Sequence, residues 1–339
     1  MLGLTLSLTY QIRIKMTPKF NTIPELLDTL KDEETCRQYL AYQRWEGNPT
    51  CPFCGTDHAY TTNRGYKCRD KECRKKFSVT VGTIYENSKV SLRIWFAAVY
   101  ICTSSKKGIS SLQAGRQLGI TQKTAWFVLH RVREMLRTKA PHMLRNSVQI
   151  DETYVGGLEK NKHAKKRAPK GTARGRSSDI KTPVIGIVET GGKVAVKVSA
   201  WVSKKEVSKL ISENVEKGSI MVTDGYAMYA YLKNSKEFTH VVVDHKKGEY
   251  VKGGFHTNGI ENFWSLLKRG IIGIFHQVSP WHLQRYCDEF AARYNTRKIT
   301  DSQRFELTVK NSAGRLTYTQ LISNPVSNRN EPFDGFGKE

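Results

Sequence analysis

Two sets of residues in this chain have types and spacings that could do chemistry. The first is a set of four cysteines. Cys51 and Cys54 form a C-x2-C pair (CPFCG), Cys68 and Cys73 form a C-x4-C pair (CRDKEC), and thirteen residues separate the pairs. Zn2+ takes four soft thiolates in a tetrahedron, and a pair spaced by two to four residues can chelate from one tight turn. The spacing predicts one closed, structural zinc site. A segment this short has little core of its own, so metal binding would supply much of its folding free energy. The competing reading, ordinary buried or disulfide-bonded cysteines, is disfavoured by the pairing and by the odd total of seven cysteines. His58 is a weaker rival for one ligand position. Cys36, Cys102 and Cys287 fall outside any ligand spacing and read as packed side chains.

The second set is acidic. Cleavage of a phosphodiester by two metal ions needs oxygen ligands that converge from different elements, with the ions about 3.5–4 Å apart. Mg2+ keeps several waters and takes one or two carboxylates, so three acids suffice. Asp151 sits within an apolar, strand-like run, where Asp is disfavoured without a reason. Asp224 follows the apolar run SIMVT, and Glu261 falls in a helical stretch with thirty-six residues between the two. Each has a plain alternative: Asp224-Gly225 as a turn, Glu261 as a solvated helix charge. Glu152 points to the opposite strand face by the period-two rule and is set aside. Lys268, seven residues after Glu261, shares its helix face and suits a phosphate beside the metals. Three clustered carboxylates repel one another, so without metal at least one should hold its proton unusually tightly.

These residues need elements to position them. Residues 22–45 read as one or two short helices, and 50–85 as a Cys-, Gly- and Lys-rich stretch with short β pieces. From Leu92 to Arg137 the pattern is helical, with breaks at Gly108 and Gly119. Within it, 109–118 with Ile109, Leu112 and Leu118 apolar, the turn Gly119-Ile120-Thr121, and 122–136 with the stripe Ala125, Val128, Leu129, Val132 and Leu136 read as a helix-turn-helix. Gln122, Lys123 and Thr124 would then meet base edges. A plain αα-hairpin is the alternative. Residues 147–156 alternate as a strand. Residues 183–189 and 193–200 flank Gly191-Gly192 as a hairpin, 203–217 read as helix and 219–223 as a buried strand. A short helix near 226–233, a strand at 239–243 and helices at 257–270 and 279–297 complete the pattern. That order, β-β-β-α-β-α-β-α, predicts an α/β fold: an RNase H-like mixed sheet with flanking helices, preceded by a zinc ribbon and a helix-turn-helix.

The expected domains are 1–19 as an extension, with Met16 a possible start; 20–88 as N-terminal helices and zinc ribbon; and 89–140 as the helix-turn-helix. The catalytic domain would be 146–300, and 301–339 a C-terminal tail. Residues 159–181 carry nine Lys and Arg against two acids and show no apolar period, so a basic mobile loop is expected there.

The 339 residues hold 55 Lys and Arg against 31 Asp and Glu, a net charge of +24. Such an excess points to a polyanionic partner, since neutralised phosphates release condensed counterions. No run approaches the ~18 apolar residues of a membrane span. The N-terminal MLGLTLSLTYQIRIKM lacks a basic start and a cleavage site, which argues against a signal peptide. The cysteine usage suits a reducing, cytoplasmic setting.

With CPFCG, YKCRDKECRKKFSVTVGTIYENS, SSKKGISSLQAGRQLGITQKTAWFVLHRVREML, IDETYVGG, TDGYAMY and HTNGIENFWSLLKRGIIGIFHQVSPWHLQRYCDEFAARYNTR in place, the chain from about Phe20 to Arg297 resembles insertion-sequence transposases. These carry an N-terminal zinc ribbon and a DDE-type, integrase-like catalytic domain. The second cysteine pair is two residues longer than is common in such ribbons. The resemblance implies that Asp151, Asp224 and Glu261 are the catalytic triad and Mg2+ or Mn2+ ligands, with Lys268 as the accompanying basic residue. An Asn can stand at the third acidic position of such enzymes, which makes Asn258 and Asn262 rivals of Glu261. His256, Asn258 and Trp264 would support the site. Gln122, Lys123, Thr124, Arg131, Lys165, Lys166 and Arg167 would contact DNA, both terminal inverted repeats and target. A homo-oligomer on paired ends and a nucleoid-associated, bacterial setting are further implied. Two other functions compete: a DNA-binding regulator with a degenerate catalytic domain, and a metal-dependent nuclease that cuts without joining.

Overall fold

The structure is a computed structural model and describes residues 20–138, 143–157 and 181–323. The extension 1–19 and most of the basic loop, including Lys165, Lys166 and Arg167, lie outside the described residues. The chain divides into two compact units, one of residues up to Leu136 together with Lys298–Ile322, the other Arg137–Arg297.

In the first unit, helix α1 (Ile23–Thr29) starts at Thr22, whose side chain accepts the Glu25 amide N–H. Helix α2 (Glu33–Trp45) starts likewise at Asp32, which accepts from the Thr35 amide. Such side-chain caps satisfy donors that the helix itself leaves orphaned. A three-stranded antiparallel sheet follows: β1 (Ala59–Thr62), β2 (Gly65–Cys68) and β3 (Lys76–Phe77), in that order. Trp45, Tyr66 and Phe77 pack ring against ring over it.

Helices α3 (Leu92–Ser104), α4 (Ser111–Leu118) and α5 (Gln122–Leu136) come next. Between α4 and α5 the chain turns at Gly119, whose φ of +66° is the left-handed conformation that favours glycine. Thr121 caps α5 by accepting the Thr124 amide. Ala125, Val128, Leu129 and Val132 are buried as the periodicity predicts, but Leu112 is 53% exposed; Ala114 and Gly115 fill the inner face of α4 instead. A side chain at residue 115 would sit 2.9 Å from the Ile120 carbonyl oxygen, so the turn closes on a glycine.

Residues 301–339, expected to be a tail, contribute two helices to this unit, α9 (Asp301–Lys310) and α10 (Tyr318–Ile322), numbered after the helices of the second unit given below. Phe305 and Val309 are fully buried in one core with Tyr39, Leu40, Phe96 and Val132. The stretches 20–88 and 89–140 therefore share a core.

The second unit is a five-stranded mixed sheet of β4 (Ser147–Val155), β5 (Thr182–Glu189), β6 (Val194–Val198), β7 (Ile220–Thr223) and β8 (Thr239–Val242). The spatial order is β6-β5-β4-β7-β8. The first three run antiparallel as a meander, while β7 and β8 lie parallel to β4 and to each other. Helix α6 (Lys204–Asn214) crosses from β6 to β7. Helices α7 (Asn258–Gly270) and α8 (Pro280–Asn295) follow β8, with a π-helical turn Ile271–Phe275 between them.

Central strand β4 is covered on both faces, so residues of both faces are buried, the polar Gln149, Glu152 and Thr153 among them. Val148 and Ile150 face a core with Val207, Leu210 and Ile211 of α6. Val155 faces the other core, with Ile260, Phe263, Trp264, Leu267 and Phe290 of α7 and α8. This is the RNase H-like arrangement that the element order predicts. Among the described residues no helix is long and apolar enough to cross a membrane.

Candidate functional site

The β4–β7 ladder pairs Ser147 with Ile220, Val148 with Met221 and Gln149 with Val222, and ends there. Asp151, in the middle of β4, and Asp224, just past the end of β7, each stand two residues past that last pair, where the parallel ladder stops. Gly225, with φ +81°, turns the chain away behind Asp224, and the Tyr226 amide N–H donates back to Asp224 Oδ1 at 3.0 Å.

Helix α7 lies on the Asp151 face of β4. Buried Gln149 anchors its start, accepting the Ile260 amide N–H at 3.0 Å. One helical turn further, the Trp264 indole N–H donates to Asp151 Oδ2 at 3.1 Å. The room for that indole comes from Gly186, the β5 partner of Asp151. A Cβ there would fall 2.5 Å from the Trp264 ring.

Glu261 projects from the first turn of α7 and is held by the Thr257 hydroxyl, which donates to Oε1 at 2.9 Å. His245, two residues beyond the end of the β8 apolar run, lies 3.8 Å from the same carboxylate oxygen and 3.2 Å from the Thr257 hydroxyl.

Asp151, Asp224, Glu261 and Lys268 all line one cavity of about 490 Å³, together with His245 and Lys181. Asn258 and Asn262, the rivals of Glu261, are exposed and do not line it, and neither does half-buried His256. His245 and Thr257 were not singled out by the sequence reading. The signal for His245 was its place just past an apolar parallel strand, the same signal that marks Asp224.

Burial, then the Glu152 and Asp224 carboxylates, push the Asp151 carboxyl up to about 7, against the Glu152 amide and Trp264 indole hydrogen bonds, which lower it. The proton is held chiefly by burial and, among the acids, by Glu152 ahead of Asp224, and so only in small part by the repulsion within the triad that the sequence suggested. Three carboxylates around one cavity form a donor set suited to hard divalent cations. Their oxygens do not close to the 4.8 Å mutual spacing of a single-ion cluster, which among the described residues only the four cysteines reach.

Glu152 lies on the opposite face, as the alternation predicts, but it is no idle surface charge. It is buried and accepts a hydrogen bond from the Tyr229 hydroxyl at 2.7 Å.

In the first unit, Cys51, Cys54, Cys68 and Cys73 bring their sulfurs together. The Cys51 and Cys73 sulfurs are 3.7 Å apart, and those of Cys54 and Cys68 3.6 Å. A tetrahedron with Zn–S arms of ~2.3 Å has edges of about 3.8 Å, so the thiols fit zinc. Burial opposes ionisation of Cys51, but the Phe53 and Cys54 amides and the neighbouring thiols outweigh it and bring its pKa down to about 7. His58 is not part of the cluster. Cys36, Cys102 and Cys287 are fully buried, as expected of packed side chains.

Gln122 and Lys123 are exposed at the start of α5, and Thr124 half-exposed. Gln122 donates to the Ser111 hydroxyl at 2.8 Å, and the Lys123 ammonium lies 5.3 Å from the centre of the Tyr318 ring. The expectation for Arg131 is corrected. Its side chain is buried, donates from Nε to the Leu316 carbonyl at 2.8 Å and stacks on Phe127. Its guanidinium ties α5 to the segment between α9 and α10.

Comparison with known proteins adds family relationships. The ISXO2-like transposase domain matches residues 143–295, and the transposase zinc-ribbon domain matches residues 31–76. An uncharacterized protein in transposable element ISH50 of Halobacterium salinarum is 30% identical over 253 residues, 72% of this chain and 84% of that protein. Among solved structures, a chain of the simian T-cell lymphotropic virus intasome in complex with PP2A regulatory subunit B56 gamma is 15% identical, with a TM-score of 0.26. It covers 50% of this chain, which spans 61% of that one. A pre-cleavage Mos1 transpososome is 14% identical over 66% of this chain and 80% of its own, with a TM-score of 0.24.

Proposed function

This chain belongs to the ISXO2-like transposases with a transposase zinc ribbon, and we propose that it binds the ends of an insertion sequence and catalyses metal-dependent DNA strand cleavage and strand transfer. The observation that carries this reading is the convergence of Asp151, Asp224 and Glu261, from three different elements, on one cavity.

In this reading the three carboxylates hold two Mg2+ or Mn2+ ions. When bound, these ions supply charge stabilisation for attacking and leaving oxygens in an in-line displacement at phosphorus. The chain's own residues do the rest. Trp264 fixes Asp151 Oδ2 and so orients the carboxylate toward the cavity it lines. Thr257 fixes Glu261 Oε1. Lys268 and Lys181 line the same cavity and would meet the phosphates beside the scissile bond. Cleavage would leave a 3′-hydroxyl on the element, and joining would repeat the same displacement with that hydroxyl attacking target DNA.

Recognition falls to the first unit. Four cysteine thiolates would hold one structural Zn2+, and the α4–α5 helix-turn-helix would present Gln122, Lys123 and Thr124 to the terminal repeat. Lys165, Lys166 and Arg167 would add phosphate contacts. Two ends must be brought together for joining, so a homo-oligomer on DNA is part of the proposal.

The test is an incubation of purified protein with labelled terminal DNA, target plasmid and Mg2+. Both nicked ends and joined products are expected, and both should vanish without divalent metal. Nicking with no joining would make the protein a nuclease; binding with neither would make it a regulator.

A further inference from the structure

Asp151 and Asp224 stand beyond the last β4–β7 ladder pair, Gln149 with Val222, so regular pairing does not set their separation. A side-chain bond spans the two segments there. Tyr229, in the 3-10 helix Ala227–Asn234 that follows Asp224, donates its hydroxyl to Glu152 Oε2 at 2.7 Å. Both residues are buried, and Tyr229 belongs to the apolar core under β4 with Val148, Ile150 and Leu232.

The bond is linked to both aspartates through short covalent and hydrogen-bonded steps. The Tyr229 amide donates to the Tyr226 carbonyl at 3.0 Å, and the Tyr226 amide donates to Asp224 Oδ1 at 3.0 Å. On the other side, the Glu152 amide donates to the Asp151 carboxylate. A buried carboxylate is costly unless hydrogen bonds satisfy it, so placing one in this core needs a return.

We propose that Glu152 and Tyr229 form a brace that sets the separation of Asp151 and Asp224, and so the affinity of the cavity for divalent cations. Both are positioning residues that act through the two aspartates: Tyr229 lies in the core under β4, and Glu152, which also lines the cavity, turns its carboxylate to the Tyr229 hydroxyl. The inference rests on the reading of the cavity as a metal site. Partners that orient metal-ligating groups typically change metal affinity by ~10–100-fold when removed.

The test is direct Mn2+ binding to the zinc-loaded full chain, measured by the electron paramagnetic resonance signal of free Mn2+. Zinc content, far-ultraviolet circular dichroism and terminal-DNA binding serve as controls. Tyr229→Phe should weaken Mn2+ binding about tenfold with the controls unchanged. Glu152→Gln keeps a carbonyl acceptor and should lose less than about threefold, whereas Glu152→Leu should lose about as much as Tyr229→Phe. Gln and Leu remove the same charge, so their difference isolates the hydrogen bond and holds even where Tyr229→Phe does not fold. Tyr229→Phe combined with Glu152→Leu should be no worse than the worse single variant. Equal Mn2+ affinity in Glu152→Gln and Glu152→Leu, or unchanged affinity in folded Tyr229→Phe, overturns the brace alone. A wild-type protein that binds no Mn2+ at this cavity overturns the metal site and the brace together.

Discussion

The Trp264 indole N–H reaches Asp151 Oδ2 at 3.1 Å across the strand position occupied by Gly186, where a single added carbon would meet the ring. A helix on one face of the sheet thereby fixes the orientation of an acid on the central strand. Trp264→Phe keeps most of the packing and removes the donor. A hydrogen bond to a charged group contributes ~1.5–3 kcal/mol, so strand cleavage should slow by about one to two orders of magnitude. Terminal-DNA binding, measured by gel shift, should not change. Gly186→Ala should displace the same ring and destabilise the unit by ~1–3 kcal/mol in urea titration. Unchanged cleavage in Trp264→Phe would remove the indole from the site.

The Asp151 carboxyl, pushed up to about 7 chiefly by burial, gives a signed prediction for the Mg2+-free protein. In the unfolded chain this group ionises near its ordinary value of 3.8. Between about 4 and 7 the folded state holds a proton that the unfolded state has released, so stability falls as pH rises through that window. Asp151→Asn abolishes the effect. Its melting temperature at pH 7.5, without Mg2+, should exceed that of the wild type by roughly 10 °C, since the raised pKa corresponds to ~4 kcal/mol and a domain of this size shifts by ~2–4 °C per kcal/mol. At pH 5.5 the gap should narrow. A gap that widens on acidification would contradict the assignment.

The cysteine cluster predicts one Zn2+ per chain by metal analysis. Cys73→Ser should bind zinc substoichiometrically, and a strong chelator should lower the melting temperature of the ribbon-bearing unit, since ligand binding there is coupled to folding. A folded ribbon without zinc would refute the site.

DNA affinity should fall steeply with salt, in proportion to the phosphates contacted. Lys123→Ala should reduce preference for the terminal repeat more than general DNA binding. An equal loss on all sequences would reduce Lys123 to a backbone contact. Arg131→Ala should act differently, lowering stability by ~1–3 kcal/mol through the orphaned Leu316 carbonyl.

What the sequence discloses here is mostly local. Cysteine spacing, the alternation of 147–156 and the Gly119 turn each depend on a few neighbouring residues, and each element lies where its pattern puts it. Asp151 is legible because an acid inside a strand has few plain explanations, whereas Asp224, before a glycine that turns the chain, reads equally as a turn and is picked out only by the apolar strand before it. Arg131 was misread because its burial depends on α9 and α10, far along the chain. The start of α9 was itself legible: Thr300 and Gln303 form a capping box, with Phe305 and Val309 one turn apart behind it. Glu152 and Tyr229 were out of reach, because their meeting requires the parallel register of β4 and β7.

The central claim is that Asp151, Asp224 and Glu261 cut and join DNA through shared metal ions. Asp224→Asn tests it most directly, because the substitution keeps the side-chain shape, including an oxygen for the Tyr226 amide, and removes the charge. With purified protein, labelled terminal DNA and Mg2+, the variant should bind terminal DNA as the wild type does and neither nick nor join it. Strand transfer retained in Asp224→Asn would contradict the account.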